Sequence, residues 1–108
     1  VLPSPIDMRA AADYIKEIRA TNMISAKKGK ICLLANRGRD NTKVFWQLDE
    51  FLDNLREPYV AALSDSMHYV RAADRGLGIF EMAPSATALL RAEWQPLLDW
   101  LDSKKSQA

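Results

Sequence analysis

The stretch that decides the fold is Lys30-Ile31-Cys32-Leu33-Leu34-Ala35-Asn36-Arg37-Gly38-Arg39, in which five consecutive apolar residues end abruptly in polar residues and a glycine. An apolar run without alternation is typical of a parallel strand that is covered on both faces. Ligands of open α/β sheets gather beyond the carboxyl ends of such strands. We therefore predict a buried strand that delivers Asn36 and Arg37 to its carboxyl edge, with Asn36 as the first candidate for a functional residue.

The sequence around this strand alternates between helical and extended patterns. Pro5 directly after Ser4 predicts a helix start, and Asn41 or Thr42 can cap a second helix. In chain order, the patterns predict a helix at 5–20, a polar loop at 21–29, the strand above, helices at 42–55 and 67–74 on either side of a strand at 59–63, an extended segment or edge strand at 77–82, and a helix at 84–102. Val1-Leu2-Pro3 is typical of the end of a strand. This order predicts one α/β domain over residues 1–108, a parallel sheet with flanking helices, and a frayed tail at 103–108.

The three longer helices each carry one apolar face with helical spacing. The predicted face of the first helix consists of Ala11, Tyr14, Ile15 and Ile18. That of the second helix consists of Val44, Leu48, Phe51, Leu52 and Leu55. The last helix presents Leu90, Trp94, Leu97, Leu98 and Leu101, and Pro96 is expected to kink it.

Composition and charge place only broad limits on function. The 108 residues are enough for one small domain, and 48% hydrophobic with 27% charged residues is typical of a globular protein. Residues 1–43 hold nine Lys or Arg against four Asp or Glu (net +5), and residues 44–108 hold six against ten (net −4), which allows an anionic partner near the first half. Cys32 is the only cysteine, so a disulfide framework is excluded. The chain shows neither a transmembrane run nor a signal pattern, and we expect a cytoplasmic protein.

Five short motifs occur in a characteristic order. They are Pro3-Ser4-Pro5-Ile6-Asp7 ahead of an amphipathic helix, Ile31-Cys32-Leu33-Leu34-Ala35-Asn36-Arg37, Pro58-Tyr59-Val60-Ala61-Ala62-Leu63-Ser64-Asp65, Tyr69 with Arg75-Gly76, and Ile79-Phe80-Glu81. Together they resemble the C-terminal half of a ParA/MinD-type partition ATPase, from Pro3 to about Leu101. The resemblance implies a Rossmann-like, three-layer fold of the P-loop NTPase type, of which this chain is the C-terminal portion.

The resemblance also implies a nucleotide site at the ends of the strands. In the family, the Asn that ends the corresponding strand lies against the adenine, and here the matching residue is Asn36. An amide offers the donor and acceptor that complement adenine's edge, although a turn at the strand end explains an Asn equally well. Arg37 can stack on the base or pair with a carboxylate, and it also suits a solvated surface. Ser64 and Asp65 end the next strand and are further candidates for nucleotide contacts or simply form a turn.

The sequence lacks the motif that the family uses to bind phosphate. No G-x-x-x-x-G-K-[ST] sequence is present to cradle phosphates and hold magnesium, and phosphoryl transfer depends on such contacts. Two explanations fit: the chain is a fragment of a full-length ATPase that uses ATP or ADP with magnesium, or it is a degenerate relative that kept the scaffold. The strand-like start at Val1-Leu2-Pro3 favours the fragment, and we expect the 108-residue chain alone to be inactive. No catalytic residue is identified, and the single histidine, His68, has no neighbours with metal-ligand spacing. The family also implies a homodimer and a ParB-like or other activating partner.

Two further sets of residues leave a second function open. Family members bind DNA non-specifically through basic surface, so Arg37, Arg39 and Lys43 are candidate phosphate contacts. Trp46 and Trp100 are candidates for a contact with another chain. The alternative hypothesis is therefore a non-enzymatic α/β interaction module that binds protein or DNA.

Overall fold

Two parallel strands joined by a helix form the middle of the structure, a computed structural model that describes residues 1–21, 24, 29–39 and 41–107. In chain order the elements are α1 (Pro5–Arg19), β1 (Leu33–Gly38), α2 (Lys43–Asp53), β2 (Tyr59–Ser64), α3 (Met67–Asp74) and α4 (Pro84–Asp102). Short 3-10 turns at Ile79–Glu81 and Lys104–Ser106 flank α4. The predicted α/β class and parallel pairing are confirmed for the described residues. The predicted loop at 21–29 falls mostly outside them.

The helix starts follow from local side-chain chemistry. The hydroxyl of Thr42 accepts a hydrogen bond from the Phe45 N–H at 3.2 Å, which satisfies a free donor in the first turn of α2. Ser66 accepts from the His68 N–H in the same way at the start of α3. Ser4 occupies the capping position of α1 but its side chain makes no capping hydrogen bond. Pro5 therefore carries that helix start, because its fixed φ suits the first helical position.

Val1 lies beside β1 on the edge opposite to β2. Its main-chain nitrogen donates to the Leu34 carbonyl, and its carbonyl accepts from the Asn36 N–H, both at 2.8 Å. In a parallel ladder, the N–H and the carbonyl of one residue bond to two residues of the neighbouring strand that are two positions apart. Val1 bonds to Leu34 and Asn36 in this way. Val1 therefore hydrogen-bonds to the second edge of β1, but Val1-Leu2-Pro3 does not form a strand, and the sheet of the described residues has two strands.

The largest hydrophobic cluster joins α1, β1 and α2. Its buried members are Met8, Ile15, Leu33, Ala35, Leu48 and Leu52. Leu48 and Leu52 are fully buried, as the spacing of apolar residues in α2 predicts. Burial of a leucine side chain contributes roughly 1.5–3 kcal/mol, so this cluster holds the crossover helix firmly against β1. Helix α4 contacts β2 instead, through a face that includes the buried Leu90.

Three predicted apolar positions are exposed. Tyr14 is 62% exposed, while Met8, which was not predicted, is buried. The buried face of α1 is centred on Met8 and Ile15, seven residues apart, and each residue turns about 100° around a helix, so Tyr14 falls at the rim. Val44 and Leu101 are likewise exposed at the ends of their helices.

The segment after α3 forms a turn rather than a strand. The predicted extended segment or edge strand at 77–82 is wrong, because Ile79–Glu81 is a 3-10 turn. The Glu81 N–H donates to the Gly78 carbonyl, and the Glu81 carboxylate accepts from the Gly78 N–H at 2.9 Å. In an edge strand, the main-chain groups of Gly78 and Glu81 would need partners on a neighbouring strand. Here they bond within the turn instead. No helix in the described part of the chain has the length and apolar character needed to span a membrane.

Candidate functional site

A bulge at the carboxyl end of β1 presents the two residues that the sequence singles out. Ala35 pairs with Ala62 and Gly38 pairs with Ser64, so β1 carries one more residue than β2 over this interval. The extra length falls on Asn36 and Arg37, and both side chains are exposed. Bulges occur next to active sites, where the extra residue changes the direction of side chains that a regular strand would send alternately to the two faces of the sheet.

The backbone of Arg37 has an unusual conformation. Its φ is +55°, in the left-handed region that glycine adopts readily and other residues adopt at a cost of about 1–2 kcal/mol. The Asn36 side chain supports the turn, because its Oδ1 accepts from the Arg37 N–H at 2.9 Å. Strained backbone of this kind concentrates at binding sites, where the surrounding structure holds it in place. The other end of the Asn36 amide, Nδ2, has no protein partner among the described residues.

The carboxyl end of β2 lies next to this bulge. The Asp65 N–H donates to the Gly38 carbonyl at 2.9 Å, which continues the pairing past the end of the strand. The Asp65 carboxylate accepts from Arg39 Nε, also at 2.9 Å. Because the Arg39 side chain is largely exposed, this ion pair contributes little to stability. The ion pair holds the side chain of Arg39, a candidate DNA contact, next to Asp65 at the end of β2.

Glu93 of α4 crosses the end of β2. Its carboxylate accepts from the main-chain N–H of Ser64 at 3.0 Å and from the Ser64 hydroxyl. Both donor groups of Ser64 thus bond to Glu93. The Ser64 side chain can therefore offer a ligand only an acceptor, its hydroxyl oxygen. Sequence reasoning did not single out Glu93. Its signal is its position, three residues after Leu90 and four before Leu97, which places a carboxylate on the inner side of the helix.

These residues surround a cleft of about 440 Å³, which we call the strand-end cleft. It is lined by Val1, Leu34, Asn36, Arg37, Leu63, Ser64, Asp65, Ser66, Tyr69, Val70 and Trp94. The structure therefore brings together all four residues predicted for nucleotide binding. A larger cavity of about 500 Å³ lies at the other end of the strands, beside Lys30 and Pro58, and contains none of them.

Two aromatic residues form one wall of the strand-end cleft. Trp94 Nε1 donates to the Tyr69 hydroxyl at 3.0 Å, which joins α4 to α3. Phe80 and Trp94 pack in an edge-to-face contact, and the Arg91 guanidinium lies 5.5 Å from the Phe80 ring centre. Sequence analysis assigned Trp94 to the core and gave Tyr69 no role of its own, because residues 25 positions apart share no local pattern.

Charge is divided across the cleft. Arg37 stands on the β1 side with no carboxylate partner among the described residues, whereas Asp65 lines the β2 side and Glu93, which is not part of the lining, bonds to Ser64 there. Lys43, another candidate DNA contact, is exposed at the first turn of α2 and is not part of the lining. A planar group between apolar walls, with an anionic substituent towards Arg37, matches this distribution.

The described residues form no metal centre, and at the end of β2 the Ser64 hydroxyl donates to the Glu93 carboxylate. No cluster of three or more His, Cys, Asp or Glu side chains in that part of the chain can hold a metal ion. His68 is half-buried in the first turn of α3. The chain matches no protein-family model, no curated protein and no solved structure. The chemistry of the cleft therefore rests on the side chains that line it.

Proposed function

We propose that this chain forms the base-binding side of a nucleotide site, as the C-terminal part of a ParA/MinD-type ATPase with a Rossmann-like, three-layer P-loop domain. The observation that carries the proposal is the strand-end cleft, where Asn36, Arg37, Ser64 and Asp65 meet at the carboxyl ends of two parallel strands. Ligands of α/β sheets bind at this edge. The order of the sequence motifs suggests the family, and the strand-end cleft offers a binding site for the base.

The cleft fits a purine base in size and chemistry. Its volume of about 440 Å³ lies within the range of small-molecule sites, and Leu34, Leu63 and Val70 give it apolar walls. The unpartnered Nδ2 of Asn36 is a donor for a ring nitrogen, and the Asn36 oxygen retains a lone pair for an exocyclic amine. In the proposal, the Arg37 guanidinium meets the phosphate side of the nucleotide.

The described residues do not fit magnesium or a triphosphate chain by themselves. They include no three-ligand metal group, and the sequence has no phosphate-binding loop. In the proposal, sequence outside these 108 residues supplies both. ATP hydrolysis, a homodimer, a ParB-like or other activating partner and non-specific DNA binding belong to the complete ATPase, and a cytoplasmic location follows from that role.

Calorimetric titration of ADP into the longest polypeptide that contains this sequence tests the proposal. Loss of the Asn36 amide removes one or two hydrogen bonds, so we expect Asn36→Ala to weaken ADP binding about 10-fold. Gln47→Ala removes an exposed amide on α2, outside the cleft, and should leave the affinity unchanged. Both variants should keep the helical circular dichroism signal. Equal ADP affinity for wild type and Asn36→Ala would show that Asn36 does not read the base.

A second function, an interaction module for protein or DNA, is favoured by one surface feature. Trp46 is 61% exposed on α2, and Lys43 lies three residues earlier on the same side of that helix. An exposed tryptophan beside a cation suits a protein or nucleic-acid contact. Binding of duplex DNA that Trp46→Ala and Lys43→Ala weaken, together with no calorimetric response to ADP or ATP, would favour this module over the nucleotide site.

A further inference from the structure

The hydrogen bond between Trp94 and Tyr69 fixes the polarity of the tyrosine hydroxyl. An indole N–H can only donate, so the Tyr69 oxygen must act as the acceptor at 3.0 Å. The proton of the same hydroxyl is then left for a different acceptor. None of the hydrogen bonds among the described residues uses it. Because Tyr69 and Trp94 both line the strand-end cleft, this donor belongs to the wall of the site.

We infer that Tyr69 is a specificity-determining donor, which recognises an acceptor atom on a planar heteroaromatic ligand in the cleft. The inference rests on the proposed function, because it takes adenine as the ligand. Adenine has three ring nitrogens that accept hydrogen bonds and an exocyclic amine that donates them. In this inference, the Asn36 amide on β1 hydrogen-bonds to one edge of the ring. The Tyr69 hydroxyl on α3 donates to an acceptor atom elsewhere on the same ring.

The surroundings support a donor at this position rather than a second acceptor. Across the end of β2, Glu93 already engages both donor groups of Ser64, so Ser64 has no proton left for the ligand. The Ser66 hydroxyl accepts from the His68 N–H at the start of α3 and, like that of Tyr69, keeps its own proton for another acceptor. Tyr69 therefore provides a neutral donor on the α3 side of the cleft, where a ring nitrogen would otherwise lose its hydrogen bond with water.

Trp94 has a positioning role in this arrangement. Its ring is held by Phe80, with the centroids 6.4 Å apart and the planes at 72°, in an edge-to-face contact. Arg91 in turn holds the Phe80 segment, since its guanidinium donates to the carbonyls of Phe80 and Met82. The indole N–H is therefore fixed in direction, and it keeps the Tyr69 oxygen occupied as an acceptor.

The test compares adenosine with three deaza-adenosines, in which a C–H group replaces the ring nitrogen N1, N3 or N7. Each is titrated into the longest polypeptide that contains this sequence and into its Tyr69→Phe variant. We expect wild type to bind two of the three analogues about 5-fold more weakly than adenosine, the usual effect of losing one neutral hydrogen bond: one analogue lacks the nitrogen that Asn36 contacts, and the other lacks the nitrogen that Tyr69 contacts. Tyr69→Phe should weaken adenosine by a similar factor and should bind adenosine and the second of these analogues equally well, while it keeps its preference against the first.

The controls separate this inference from the proposed function and from folding. Tyr14→Phe removes an exposed hydroxyl outside the cleft and should preserve the wild-type preference. Trp94→Phe keeps an aromatic wall but frees the Tyr69 oxygen, so the preference should shrink without being lost. If adenosine binds and Tyr69→Phe retains every wild-type ratio, the donor role of Tyr69 is wrong while the nucleotide site stands. If wild type binds neither adenosine nor ADP, both the site and the role of Tyr69 are wrong.

Discussion

Glu93 of α4 accepts hydrogen bonds from both the main-chain N–H and the hydroxyl of Ser64, the last residue of β2. This pair lies 29 residues apart in sequence and attaches the longest helix to the strand end that borders the cleft. It also gives Ser64 a structural partner at the position where the sequence suggests a ligand contact. A role for Ser64 in nucleotide binding stays a prediction that must involve its oxygen as an acceptor.

Glu93→Ala should lower the free energy of unfolding by about 2 kcal/mol, because it leaves the part-buried donors of Ser64 without an acceptor. Glu50→Ala removes an exposed carboxylate from α2 and should change the stability by less than about 0.5 kcal/mol. Urea unfolding followed by circular dichroism measures both. Similar midpoints for the two variants would mean that the contact between Glu93 and Ser64 contributes no net stability.

Local patterns predicted the parts of the fold that depend on neighbours in sequence. The Thr42 cap, the buried pair Leu48 and Leu52, and the second strand were all predicted correctly. Each rests on capping chemistry or on apolar spacing within one element. The exposure of Tyr14 was missed because spacing defines an apolar face but not the angle at which a helix meets the sheet.

The candidate site was only partly predictable for a related reason. Asn36 and Asp65 were found because they follow apolar runs, and strand ends meet at one edge of a parallel sheet. Tyr69 and Trp94 meet across 25 residues, and no local pattern joins them. The bulge at Arg37 contradicts the local preference of arginine for negative φ, so only the pairing of β1 with β2 reveals it.

Gly38→Ala should destabilise the fold by about 1–3 kcal/mol, as overpacking usually does. A Cβ on Gly38 would lie 2.5 Å from Cε2 of Phe45, closer than carbon atoms approach. Gly78→Ala is the matched control, because its Cβ would have 3.6 Å of room and its φ is ordinary. Thermal unfolding should show a clearly lower midpoint for Gly38→Ala alone. Recovery in the double variant Gly38→Ala, Phe45→Leu would identify the ring as the obstacle, and equal midpoints for the two single variants would contradict the clash.

Arg37→Gly should be more stable than Arg37→Ala by about 1 kcal/mol, because glycine adopts the left-handed conformation without steric cost. Both variants remove the guanidinium, so the comparison isolates the backbone at φ +55°. The same pair at Arg71, an exposed position within α3, should show the opposite order, since glycine weakens a helix by about 1 kcal/mol relative to alanine. Chemical unfolding of the four variants measures both differences. If the alanine variant were more stable than the glycine variant at position 37 as well as at position 71, the backbone of Arg37 would not be strained.

The stability of the fold should fall at high pH through Tyr59, the first residue of β2. Burial, followed by the nearby carboxylates of Asp49 and Asp53, raises the pKa of this phenol far above its ordinary value near 10. The folded chain then holds the proton more tightly than the unfolded chain. The resulting stabilisation is fully present below about pH 10 and is lost as the pH rises from there towards the folded pKa.

Tyr59→Phe removes this titration, so its stability should decline less steeply than that of wild type above about pH 10. Tyr14→Phe is the matched control, because Tyr14 is 62% exposed and packs outside the main cluster. Urea unfolding at a series of pH values from about pH 8 to about pH 11.5 gives the change of the free energy of unfolding with pH for each protein. The three proteins carry the same lysines, so the lysine contribution cancels in the comparison. Parallel curves for all three proteins would show that the Tyr59 proton is not held by the fold. A shallower curve for Tyr59→Phe alone would show that the folded chain holds the phenol proton more tightly than the unfolded chain, as the burial of Tyr59 requires.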